Sequence, residues 1–276
     1  MWRNVMLGAG LVVLATGCGA GGATVGGSDV APVAEPQLYQ VDATVLQRDG
    51  DVAQICFAVM ESYPPQCGGV PIANWDWNAV SRKDSASGTT WGSYHLVGSY
   101  DGDTFTVTDV GPAEPAVPAV VDLTPACPKP AGGWAAPDPS RGTDEYVSAP
   151  DTYARQQPDY VASWVTYVED TPGLVVFNAV FTGDAERHEA ELLQVWSGPL
   201  CVVAQDVPTA AELEAIRQEA EARLAELGVE LVSSTAERIV DLQVVLDEDG
   251  RAQAEFDEEY GPGVVRVTSL LRPAKQ

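Results

Sequence analysis

The sequence predicts an α+β protein in which a small N-terminal antiparallel β-barrel, OB-like, is followed by a ferredoxin-like α+β sandwich. Three observations predict it. Five short strand patterns fall between residues 37 and 110, the spacing of a small all-β unit. Ten of the chain's 20 prolines crowd into residues 111–158, a density that no sheet or helix interior accepts. From residue 159 onward strand and helix patterns alternate, and two β-α-β passages, Leu174 to Ala204 and Ile239 to Ser269, are separated by an added helix.

In chain order, Gln37 to Arg48 alternates, with Tyr39, Val41, Ala43 and Val45 on one face, and reads as a strand. Ala53 to Met60 is a second, and Trp75 to Val80 a short third after the turn-rich Ser62 to Gly69. Thr90 to Tyr100 and Asp103 to Val110 flank Asp101-Gly102, the strongest short hairpin signal in the chain. The proline-rich residues 111–158 read as a connector draped over the surface, with Cys127 as its fastening point. Tyr160 to Val168 and Leu174 to Phe181 are strands, and Asp184 caps a helix that runs to about Trp196. Leu200 to Ala204 is a short apolar strand.

Thr209 to Leu227 is the clearest helix, because Thr209 and Glu212 form a capping box and Gly228 is placed to end it. Its Leu213, Ile216, Ala220, Leu224 and Leu227 make one apolar stripe, and Glu219 with Arg223 adds an i,i+4 pair. Strand patterns return at Val229 to Ser233 and Ile239 to Leu246. A short helix near Ala252 to Tyr260 and a strand from Val264 to Ser269 follow. No tandem repeat is visible in the sequence itself.

The N-terminus reads as an address. Arg3 precedes an apolar run from Val5 to Thr16, about a dozen residues where a membrane-spanning helix needs roughly 20. The run ends Leu14-Ala15-Thr16-Gly17-Cys18, which resembles a bacterial lipobox with Ala15 where Leu is commonest. The resemblance implies a signal peptide over residues 1–17 and a lipid-modified Cys18 as the mature N-terminus. Residues 18–36 are a flexible stalk that would span on the order of 20 Å. Residues 37–110 then form the barrel domain, 111–158 the connector and 159–276 the α+β domain.

The five cysteines fit this layout. With Cys18 carrying lipid, Cys56, Cys67, Cys127 and Cys201 remain, an even number that outside the cytoplasm implies two disulfides. Three connectivities are open. The favoured one pairs Cys56 with Cys67, closing a short loop in the β-rich region, and Cys127 with Cys201, tying the connector to the C-terminal region. With no CxxC and with His95 and His188 far from the cysteines in sequence, a metal site is disfavoured.

Composition narrows the partners. At 45% hydrophobic and 20% charged the chain has globular usage, which excludes collagen, wholesale disorder and a multi-pass membrane protein. Fifteen basic against 40 acidic residues give a net charge of −25, which repels nucleic acid. The expected partners are the membrane, through lipid on Cys18, and an envelope protein or glycan. No glycine loop or dinucleotide motif is present, so no cofactor is expected.

Two passages carry a family resemblance: Tyr63-Pro64-Pro65-Gln66-Cys67-Gly68-Gly69 with Asn74-Trp75-Asp76-Trp77, and Phe181 to Glu189 with Trp196-Ser197-Gly198-Pro199-Leu200-Cys201. With the ending Tyr260 to Val265 they resemble a group of uncharacterised secreted lipoproteins of actinobacteria. The resemblance implies exported, disulfide-bonded envelope proteins and no known activity. The C-terminal part is also faintly similar to α+β propeptide domains of secreted bacterial proteases, which implies an inhibitor or chaperone role.

Trp75 and Trp77 share one face of an extended segment and are the candidate ligand contacts, stacking on a sugar ring or a partner; the competing expectation is that they fill a small core. His188, four residues after Asp184, would sit near Glu191 and Asp184 as a general base, against the commoner role of a locally bonded core histidine. His95 lies in a strand pattern and reads as structural. No GxSxG accompanies the serines of Ser81 to Ser87, so no catalytic residue is assigned and a non-catalytic binding or scaffolding module is expected, anchored at the extracytoplasmic face of the cell membrane. Asp247-Glu248-Asp249-Gly250 lacks the ligand ladder of a calcium loop and reads as a turn.

Overall fold

A computed structural model describes residues 36–115 and 122–275. The signal segment, Cys18, the stalk through Glu35 and connector residues 116–121 lie outside the described residues. What is described is mixed α+β, with four α-helices and three sheets.

The first sheet is built on two long strands, β1 (Leu38–Arg48) and β5 (Thr89–Tyr100), paired antiparallel along their whole length. Short strands extend both sides: β2 (Gln54–Cys56) and β3 (Val70–Pro71) beside β1, β4 (Asp84–Ala86) and β6 (Phe105–Pro112) beside β5. Alternation along β1 and β5 turns Tyr39, Val41, Val45, Tyr94 and Leu96 into one core with Ile55 and Phe105. Asp101 makes the hairpin between β5 and β6, its Oδ1 accepting the Asp103 and Thr104 N–H groups. Trp75 to Val80 is not a strand. Asp76 Oδ1 accepts both the backbone N–H and the side-chain amide of Asn78, and this Asx geometry bends the chain into a turn.

The expected barrel is not closed. The path β3-β2-β1-β5-β4 has free ends, and strands of two or three residues cannot supply a complete ladder. A single parallel bridge, Ile72 to Phe105, spans from the end of β3 to the start of β6.

The connector is less irregular than its prolines suggest. It holds two 3-10 turns and a helix, α1 (Ser148–Arg155), with Pro150 in the first turn, where its missing N–H has no intrahelical partner to lose. Then comes β7 (Tyr160–Tyr167), antiparallel to β8 (Val175–Phe181). Helix α2 (Ala185–Leu192) crosses over to β9 (Leu200–Ala204), parallel to β8. All seven residues of β8 are buried. Val175, Phe177, Ala179 and Phe181 pack with Leu192 and Trp196, and a strand covered on both faces needs such a nearly continuous apolar run.

The same succession then recurs. Helix α3 (Ala210–Leu227) leads to β10 (Leu231–Ala236), antiparallel β11 (Val240–Val244), helix α4 (Arg251–Tyr260) and β12 (Val265–Ser269), parallel to β11. Leu213, Ala220 and Leu224 of the α3 stripe pack on Val240, Leu242, Val244 and Phe256. Arg223 does not pair with Glu219; it reaches Glu226 and, across to α4, Glu255, while Glu219 accepts the Tyr260 hydroxyl.

Helix-strand-strand-helix-strand thus appears twice, and this corrects the ferredoxin-like expectation. A ferredoxin-like sandwich splits each β-α-β around another strand of one sheet. Here the strands joined by each crossover are direct neighbours, which yields two separate three-stranded sheets. After β12, Leu271 enters the core of the first sheet together with Val245, and β13 (Arg272–Pro273) pairs with β1.

Candidate functional site

Both disulfides are formed within the described residues, Cys56 with Cys67 and Cys127 with Cys201, each with Cα atoms 5.8 Å apart. The first closes the loop that leaves β2 at Cys56. The second fastens the connector to β9.

Trp75 and Trp77 are half-buried and pack against the core of the first sheet, edge to face with ring centroids 5.3 Å apart. Trp75 also tilts onto Tyr94 at 5.1 Å, and Trp77 donates its indole N–H to Gln47 Oε1 at 2.6 Å. The Trp75 N–H is buried without a partner among the described residues. These side chains therefore close one side of the apolar core. Beside them, where β4 and β6 leave a gap along the same edge of β5, lies a largely polar cavity of about 740 Å³ that takes in Arg82, Lys83, Ser93 and Tyr94.

His188 is fully buried, under a Phe181 ring stacked 3.6 Å away with planes 8° apart. Its Nδ1 lies 3.0 Å from the Tyr153 hydroxyl, and its Nε2 lies 2.9 Å from Asp159 Oδ2 and 2.9 Å from Arg187 Nη2. Tyr153 donates in turn to Glu191. Burial first, then that hydrogen bond and the Glu191 charge, push the Tyr153 phenol up to about 12. Glu191 thus joins the network through Tyr153. Asp184 instead caps α2, accepting the Arg187 N–H at 3.2 Å. Asp159, the carboxylate that touches the imidazole, has no sequence signal: it precedes β7, 29 residues from His188. Phenol, imidazole and carboxylate in series can pass a proton, but the ring has no exposed surface for a substrate, and the network ties α1, α2 and the start of β7 together. His95 is apart from this, its Nδ1 3.1 Å from Asp42 on the first sheet.

The feature that sequence reasoning missed is a cavity of about 580 Å³ between the connector and β7–β8. Leu123, Pro125 and Trp134 form one side, and Thr166, Val168 and Val176 the other, so the lining is mostly apolar. The connector is held there by specific bonds. Asn178, buried on β8, accepts the Ala126 N–H through Oδ1 and donates through Nδ2 to the Trp164 and Val176 carbonyls and the Thr166 hydroxyl. Trp164 donates to the Thr124 carbonyl at 3.0 Å and Thr166 to that of Leu123. Cys127, itself part of the lining, is locked to Cys201.

No group of three or more His, Cys, Asp and Glu side chains among the described residues is arranged to hold a metal ion. No described helix is long and apolar enough to cross a membrane. No protein-family model matches the chain, and no curated protein matches it.

Proposed function

We propose that the chain is a lipid-anchored envelope protein, held through Cys18 at the outer face of the cytoplasmic membrane, whose folded body is a non-catalytic binding or scaffolding module. The observation that carries this reading is the pairing of Cys56 with Cys67 and Cys127 with Cys201. The four body cysteines satisfy one another, so none is left for Cys18, whose place at the end of a short apolar run suits a lipid. Two disulfides also belong to an oxidising compartment. The resemblance to actinobacterial secreted lipoproteins points the same way. Within this reading the first sheet is a partly open OB-like barrel, with the Ile72–Phe105 bridge in support. A hydrolase working through His188 would need the ring uncovered, and Phe181 lies over it.

The test is metabolic labelling of the full chain with an alkyne fatty acid in an actinobacterial host, followed by intact-mass analysis. Label on the wild type, absent from Cys18→Ala, with a mature N-terminus at residue 18 is expected. An unlabelled protein that still begins before Cys18 would overturn the reading.

A further inference from the structure

We infer that the connector cavity is a binding site for a small hydrophobic cation, an apolar chain or ring bearing one ammonium group. This rests on the binding-module reading above and gives it a ligand class. At about 580 Å³ the cavity is of the size that holds small molecules, and its lining is mostly apolar. Leu123 and Tyr167, both in that lining, remain 46% and 61% exposed, so apolar surface stays open to solvent at the site.

Charge selects the sign of the ligand. The charged groups in the lining are Asp122, Lys129 and Glu169. The Lys129 ammonium already faces Asp170, 3.4 Å away. Neither Asp122 nor Glu169 has a basic side chain within salt-bridge distance among the described residues. Arg238 approaches Asp122 but gives its N–H to the backbone carbonyl, with its guanidinium 4.0 Å over the Trp164 ring. Asp122 is held below the usual carboxylate range, first by the Thr124 backbone N–H, and so stays ionised. Arg238 lowers Asp122 by its charge without bonding the carboxylate. Two carboxylates that no basic side chain bonds thus lie beside an apolar cavity, and on a chain of net charge −25 they favour a cation over an anion of equal shape. Trp134 and Tyr167 add aromatic rings of the kind that attract ammonium groups.

The cavity is also held open in advance. Its connector wall is fixed by the Cys127–Cys201 disulfide and by Asn178, so a ligand need not order that wall on binding.

The experiment titrates the oxidised full chain with octyltrimethylammonium, octanol and octanoate below their micelle concentrations, by calorimetry and tryptophan fluorescence. The cation is expected to bind about tenfold more tightly than octanoate, with octanol between. Glu169→Gln combined with Asp122→Asn should bring the three affinities together while octanol binding holds, which also reports that the variant is folded. Leu123→Ala with Tyr167→Ala should weaken all three. Octanoate binding as tightly as the cation, or no binding by any of the three, overturns the assignment. Either result leaves the anchoring proposal standing, because fatty-acid labelling at Cys18 is read separately.

Discussion

A lone amide buried as completely as Asn178 costs roughly 2 kcal/mol or more unless its hydrogen bonds are made, and in this protein its Oδ1 and Nδ2 both have partners. Asn178→Ala should therefore destabilise the protein by about 2–3 kcal/mol in urea unfolding, because it strands the Ala126 N–H and opens a hole beside Thr166. Tyr153 makes a pH prediction. Its phenol is raised in the folded state to about 12 from the ordinary 10.0. The folded protein then holds a proton that the unfolded chain releases first, so this contribution is complete below pH 10 and is lost as pH rises toward about 12. Tyr153→Phe should flatten that part of the alkaline unfolding profile, and an unchanged slope would show that the phenol does not carry it. Helical spacing made Glu191 legible beside His188, since residues three apart share a face. Asp159 was not legible, because its contact with the imidazole exists only after β7 and β8 have paired.

Local chemistry explains which elements could be read in advance. Helix α3 was legible because its boundaries are written in adjacent residues: Thr209 accepts the Glu212 N–H, Glu212 returns to the Thr209 N–H, and Gly228 ends the helix at φ 71. Thr209→Ala should cost about 1 kcal/mol, measured as a lowered urea midpoint with an unchanged slope. Helix α1 was hidden by Pro150, which reads as a breaker until its place in the first turn is known. Strands β4 and β13 are three and two residues long and carry no periodicity of their own; they exist because β5 and β1 offer edges. Trp75 to Val80 shows the converse, an alternating pattern overruled by one Asp76 side chain.

Across the molecule, the two disulfides should contribute unequally. Cys127–Cys201 spans 74 residues and Cys56–Cys67 spans 11. Loop-closure entropy then assigns about 4 kcal/mol to the first and about 3 kcal/mol to the second. Replacing each pair with alanines and comparing urea midpoints checks the order, and an equal loss would put the difference elsewhere. Most of the repeated plan was legible as two β-α-β passages, each entered by a further strand. Its first helix, hidden at Pro150, was not, nor was the division into two sheets, since strand order depends on which edges pair and no residue pattern in Val175 to Phe181 or Val240 to Val244 encodes it. The pairing of β13 with β1 has a mechanical side. Ala274 gives its N–H to the Leu38 carbonyl at 2.9 Å, which sets the two ends of the described body side by side. A pull on β1 from its Leu38 end is shared between its long pairing with β5 and its two-residue pairing with β13, so the β13 side is the seam that parts first and the β5 side the one that holds.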